Sequence, residues 1–352
     1  MSQRRLSSAK VLIIGGNGLA AEVAKNIVLA GVGHVGIADN TPCSQAHFGN
    51  FLVPADAPPE STVAEACART LQGMNPFVEV AAEDCCCRSN QDGNGVGGAP
   101  DVPSEVLARY DTVLSTLHGI VAPEAEKLEA SCCESGKQLF LSQSLGLCTS
   151  VYINLGGKHT YAEKSQPTQA QQTGEAATAT ASKSSLLKEM EYPRLHAALS
   201  KPVRECLGRR AAAVHPMYQV LRVLRAYQSS HDSQQQQQQQ QRRRQPQDVL
   251  ASMEALATSM EDKEGAPRNS INRTYLQDCA DAVAAPDAGG SDIMTRCMQG
   301  PTSAVVGGVV ANAIVKAISK VGAPLRNFFF FSPADGQGVV EDISGPAAAG
   351  AT

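Results

Sequence analysis

Several classes of protein are excluded by what this sequence does not contain. Its 30 Lys and Arg against 34 Asp and Glu leave a formal charge of -4, so nothing draws the whole chain toward nucleic acid or an anionic membrane. No apolar run is of bilayer-spanning length, because the longest, Ala304–Ala317, is interrupted by Asn312 and Lys316. The opening MSQRRLSSAK lacks the apolar centre of a secretory signal. The expectation is a soluble, intracellular protein with no membrane partner and no nucleic-acid partner. Cysteines are not scarce, at 11, but none stands at C-x-x-C spacing. Cys85-Cys86-Cys87 and Cys132-Cys133 are adjacent, which suits neither a zinc site nor an ordinary disulfide framework. Reduced thiols and no metal site are expected. No Ser/His/Asp constellation is present, and Cys85–Cys87 have no identifiable base, so no catalytic residue is assigned.

What is present is a core-forming chain, 43% hydrophobic over 352 residues, organised around Val11–Asp39. Val11–Ile14 is a continuous branched apolar run, the pattern of a buried parallel strand. A tight turn, Gly15-Gly16-Asn17-Gly18, follows it. Leu19, Val23, Ile27 and Val28 then recur at helical spacing, with Ala20, Ala21 and Ala24 keeping one face thin. Gly31 and Gly33 close that helix, and Val35–Ala38 forms a second strand ending in Asp39. Such a β-α-β unit aims backbone N–H groups and a helix N-terminus at phosphate, and the acid at ribose hydroxyls. Gly15, Gly16, Gly18 and Asp39 are therefore the candidate nucleotide-loop residues. The glycines alone would equally serve close packing of strand on helix.

Downstream, Val63, Cys67 and Leu71 mark a helix ended by Asn75-Pro76, and Phe77–Ala81 reads as a short strand. Ser89–Pro103 reads as an extended loop, Tyr110–Thr116 as a buried strand, and a helix should run to about Ser135. Gln138–Ser142 and Cys148–Asn154 are further strands. This alternation predicts an α/β fold with a doubly wound, mostly parallel sheet. Residues 1–163 form its N-terminal Rossmann-like part, and 164–190 a disordered linker rich in Gln, Thr, Ala and Ser. Helical periodicity returns over 191–228. Residues 229–291 form a Gln-rich, variable insert holding Gln234–Gln241 and Arg242–Arg244, with exposed helices over Asp248–Glu261 and Thr274–Ala284. Residues 292–346 supply a helix, Thr302–Lys320, and a hairpin of Asn327–Phe331 with Gly338–Ile343; 347–352 is a tail. Phe328–Phe331 must be covered on both faces of a sheet.

With these segments in place, the sequence resembles the small, non-catalytic subunits of SUMO-activating enzymes, on the ThiF/MoeB-type adenylating fold of the ubiquitin-activating superfamily. The resemblance rests on VLIIGGNGLAAEVAKNIVLAGV, NPFVEV, INLGG and SAVVGGVVANAIVKAIS running into NFFFF, in that order. It implies a heterodimer with a large catalytic subunit. That partner binds ATP and magnesium, adenylates the C-terminal glycine of SUMO and captures it on its own cysteine. It also implies a nuclear location, with the cytoplasm as the alternative.

The departures from active members bear on where the chemistry sits. Those members carry an Asn and an Arg after the ribose Asp, a Lys opening the next helix and a metal-side Asp after the fourth strand. Here the corresponding positions fall near Phe48, Gly49, Val63 and His118. Thr41–Val63 contains no Lys or Arg, and Asn17 and Ala20 stand where glycines would. A site without cations and a metal carboxylate should not handle a triphosphate. The glycine loop is thus expected to be vestigial, with no cofactor bound by this chain. The family also places a Y-D-R-Q-I-R-L-W-G-type segment, carrying an arginine for the partner's ATP site, before the first strand. Arg4 and Arg5 match the helix after it, leaving either a misassigned start or the loss of that arginine. Competing readings are a non-catalytic subunit for another ubiquitin-like modifier, a divergent N-terminal half of a ubiquitin-activating enzyme, and an NAD-dependent oxidoreductase using Asp39. A nucleic-acid-binding protein acting through Arg242–Arg244 is a further one.

Overall fold

The structure, a computed structural model, describes residues 2–46, 49–84, 102–117, 119–163, 187–207, 214–235, 245–268, 270–284, 293–334 and 336–343. Its principal sheet runs through β1 (Lys10–Ile14), β2 (His34–Ala38), β3 (Glu79–Glu83), β4 (Thr112–Ser115), β5 (Gln138–Leu145) and β6 (Cys148–Asn154). A ribbon of β7 (Lys158–Ala162) and β8 (Leu187–Glu191) stands apart, and β9 (Phe328–Ser332) and β10 (Gln337–Glu341) return to the sheet. Strand order is β10-β9-β6-β5-β4-β1-β2-β3 over eight strands. Strands β1 to β5 pair in parallel, whereas β6, β9 and β10 add antiparallel neighbours. The carboxyl ends of β1 and β4, neighbours whose connections leave to opposite sides, open the crevice at which doubly wound sheets place ligands.

Helices cover both faces. On one lie α1 (Ser2–Ser8), α2 (Gly18–Leu29) and α3 (Val63–Met74). On the other lie α4 (Ser104–Ala108), α5 (Pro123–Glu134), α6 (Leu195–Ser200), α7 (Val203–Leu207), α8 (Pro216–Gln235), α9 (Pro246–Glu264) and α10 (Arg273–Ala284). The long α11 (Ile293–Ser319) rejoins the first face and packs along α2. A Cβ on Gly307 would lie 2.5 Å from Glu22 Cβ, so only a glycine lets these two helices come so close. The four phenylalanines alternate as their strand demands: Phe328 and Phe330 enter the core beneath α8, Phe329 and Phe331 the core beneath α11. Fully burying each such side chain favours folding by roughly 1.5–3 kcal/mol.

Some sequence expectations move. The third strand lies two residues later than Phe77–Ala81, because Phe77 stands 94% exposed in the turn before it. Residues 187–190, assigned to a linker, belong to β8, whose partner β7 precedes the intervening segment; no local turn signal could join them. The helices within the 229–291 insert are not exposed. Val249, Met253 and Ala257 of α9 and Leu276, Cys279 and Ala280 of α10 are buried against α8 and the sheet. Gly300–Ser319 is long and apolar enough to cross a membrane by length and composition, unlike the shorter stretch judged from sequence, but half of it is buried in the protein. The expected loop 89–101, linker residues 164–186 and Arg242–Arg244 lie outside the described residues.

Candidate functional site

The loop between β1 and α2 sits at the sheet's carboxyl edge. Gly15 turns the chain with φ +93°, a conformation side chains rarely adopt, and its N–H donates to Ala38 O at 2.9 Å. Asn17 caps α2, its Oδ1 accepting the Ala20 N–H at 3.0 Å. One of the orphan donors that a helix N-terminus could offer an anion is thereby already spent. At Gly18 the space for a side chain is bounded by the Gly49 carbonyl oxygen, 3.0 Å from a built Cβ, and by Ser303 Oγ at 3.4 Å.

Asp39, 3% exposed, points back into the loop. Its Oδ2 accepts the Gly16 N–H at 2.7 Å and its Oδ1 the Thr41 N–H at 2.9 Å. Both carboxylate oxygens therefore serve backbone donors, which holds the charge in place and braces β2 against the loop. Asn50, 7% exposed, closes the other side: its Nδ2 donates to Gly16 O at 2.7 Å and its Oδ1 accepts the Leu52 N–H at 3.0 Å. Val63, the residue standing where an active relative has its lysine, is 1% exposed and lies against the loop. A Cβ on Gly16 would overlap its Cγ1 at 2.3 Å. Cys67 completes the wall, its thiol pushed up to about 11 chiefly by burial, which keeps it a neutral packing group.

The structure thus brings Gly15, Gly16, Gly18 and Asp39 together as the sequence predicts. It adds Asn50, Val63 and Cys67, which sequence reasoning did not assign to the site. Asn50 lies two positions from Phe48, where the family pattern expected an asparagine, and that proximity was the available signal. Phe48, His118 and Cys85–Cys87 lie outside the described residues. The nearest described cation is elsewhere engaged: Lys25 pairs with Glu22 at 2.5 Å and lies 5.1 Å from the centre of the Phe51 ring. Among the described residues there is no group of three or more His, Cys, Asp or Glu able to hold a metal ion. What the arrangement does chemically is satisfy itself: the acid, the amide and the loop N–H groups are one another's partners.

A second buried carboxylate illustrates the contrast with a reactive site. Glu129, 3% exposed, accepts from Tyr152 Oη at 2.5 Å, Asn154 Nδ2 at 2.8 Å and the Leu195 N–H at 3.0 Å. Burial, and then the carboxylate itself, push the Tyr152 hydroxyl well above the ordinary phenol range. This cluster ties α5, β6 and the start of α6 together with all its members satisfied.

With the geometry in hand, comparison with known proteins identifies the lineage. The chain is 27% identical to SUMO-activating enzyme subunit 1A of Arabidopsis thaliana, covering 97% of this chain and 91% of that protein. It is 27% identical to SUMO-activating enzyme subunit 1 of Danio rerio, over 97% of this chain and 91% of that one. Against the Rattus norvegicus protein of the same name it is 27% identical, over 97% and 89%. The family profile described as "ThiF family" matches residues 1–345, and the chain belongs to that family.

Proposed function

We propose that this chain is the small, non-catalytic subunit of a heterodimeric SUMO-activating enzyme. It supports ATP-dependent adenylation and thioester capture of SUMO carried out on a larger catalytic subunit. Its similarity to proteins named SUMO-activating enzyme subunit 1, running along 97% of its length, supports the choice of modifier. The rival readings, another ubiquitin-like modifier or an NAD-dependent oxidoreductase, have no comparable support. The observation that carries the non-catalytic assignment is the closed glycine loop. Asp39 is occupied by the N–H groups of Gly16 and Thr41, Val63 fills the lysine position, and Thr41–Val63 holds no cation. A triphosphate needs positive groups and a metal held by carboxylate, and this donor set does not fit one. ATP and magnesium belong to the partner in this reading, and the complex works in the nucleus.

The test is ATP–pyrophosphate exchange with SUMO present, measured for this chain alone, for the catalytic subunit alone and for the two combined. Exchange should be absent with this chain alone and highest with the pair. Exchange by this chain alone refutes the non-catalytic assignment. A chain that ignores the catalytic subunit but gains thermal stability from NAD supports the oxidoreductase instead.

A further inference from the structure

Resting on that reading, we propose that the outer face of α11, together with the mouth of the glycine loop, is the surface on which the catalytic subunit sits. A helix on the surface of a soluble domain ordinarily turns charged residues to water. Helix α9 does so, exposing Asp248, Glu254, Asp262 and Lys263. Helix α11 does not. Its inner face, with Val306, Val310 and Ile314, is fully buried against α2 and the sheet. Its outer face presents Pro301, Ala304, Val305, Gly308, Val309 and Asn312, and no ionisable side chain occurs from Pro301 to Val315. Val305 is 47% exposed.

The upper end of this face runs into the closed site. Ser303, two residues before Val305, borders Gly18, and the neighbouring loop carries Phe51, 46% exposed. Across the mouth stands Leu117, 41% exposed, with its Cβ 3.1 Å from the side-chain position of Gly15. Three of the large exposed hydrophobic residues therefore gather at the carboxyl edge of the sheet and continue down α11. The charges at the border cancel, because Lys25 and Glu22 pair with each other.

The dimensions and the chemistry indicate the kind of occupant. From Pro301 to Val315 the face is about 22 Å long and about 10 Å wide by helix geometry. That is the size of the dry centre of a standard patch of about 800 Å² per partner, not the whole of one. The loop mouth extends it. Absence of charge over such a strip is the mark of a permanent subunit contact rather than of a passing client. A subunit seated there would also lie across a nucleotide loop that has closed on its own groups.

The test is co-expression with the catalytic SUMO-activating subunit, followed by size-exclusion chromatography and affinity measurement. Wild type is compared with Val305→Asp on the proposed face and Phe77→Asp at the far end of α2, each checked alone for an unchanged thermal transition. A second variant, Gly308→Glu, guards against a local effect at residue 305. Wild type and Phe77→Asp should co-elute with the catalytic subunit, while Val305→Asp and Gly308→Glu should weaken it at least about tenfold, as a charge in a dry interface centre does. Unchanged affinity of both α11 variants overturns the proposal while leaving the subunit reading intact. So does a wild-type homodimer, or sedimentation with vesicles of phosphatidylcholine and phosphatidylserine, that Val305→Asp abolishes. Failure of wild type to bind the catalytic subunit sinks both.

Discussion

The two faces of the sheet are packed on different principles. Beneath α2 and α11 the core is made from short side chains, with Ala20, Ala21, Ala24 and Gly307 letting helices approach closely. Beneath α8 and its neighbours it is made from large ones, including Tyr110, Tyr152, Tyr218, Met217 and Met253. There the buried phenols have polar partners: Tyr152 and Tyr110 donate to Glu129 and Glu83, and Tyr218 donates to Ala198 O at 2.6 Å. The thin face is the one a nucleotide-binding unit requires, because helix, strand and phosphate must meet at one loop. It kept that geometry after the loop closed on Asp39 and Val63. The thick face carries the helices that have no counterpart in a minimal β-α-β repeat. The comparison teaches that a binding architecture can persist as a packing solution once its chemistry is gone.

The largest expected effect lies on the thick face. Phe328→Ala should cost about 3–5 kcal/mol, read as a lower urea midpoint with unchanged slope. The residue is fully buried between Tyr152, Tyr218 and Phe330, so a cost below about 1 kcal/mol would mean that this face is loosely packed. Next comes His159 on the ribbon, 4% exposed and without a partner at Nε2. Burial, with Lys320 nearby, lowers its pKa from 6.5 to about 4. Between those values the unfolded chain takes up a proton that the folded chain refuses. The stability present above pH 6.5 therefore declines by up to about 3 kcal/mol as the pH falls toward 4. His159→Gln should flatten that part of a Tm-against-pH curve, and an equal slope in both proteins would remove His159 as the cause.

On the thin face, Gly307→Val should cost about 1–3 kcal/mol by forcing α11 off α2. A neutral result would show that the close approach is not what fixes the helix pair. The smallest effect concerns α3, whose N-terminus is held by a capping box in which Thr62 and Glu65 exchange hydrogen bonds at 3.2 and 3.0 Å. Thr62→Ala should lower stability by about 1 kcal/mol. It would also loosen the placement of Val63 over the glycine loop, visible as faster amide exchange at Gly16.

Much of the thin face was legible in the sequence, because a buried parallel strand, a glycine turn and a helix with an alanine stripe are local signals. The four-phenylalanine run announced a strand covered on both sides for the same reason. The thick face was less legible. The buried stripes of α9 and α10 use Ala257, Cys279 and Ala280, residues too small to mark a face as apolar until the partner helix is in view. The ribbon was missed because β7 and β8 are joined through a long segment and carry mainly charged residues, held by Lys158 to Glu191 at 3.0 Å and Lys188 to Glu163 at 2.7 Å. At the site, Asp39 and the glycines could be read, but the closure could not. Asn50 reaches Gly16 across a loop, and a hydrogen bond between residues 34 apart leaves no periodic trace.

The account depends on the glycine loop being its own ligand, and the most direct test is titration calorimetry of ATP with magnesium into this chain in the absence of any partner. No saturable heat should be observed, for wild type and for Asp39→Ala alike. One-site binding by wild type that Asp39→Ala abolishes would contradict it, since Asp39 would then be free to hold a ribose.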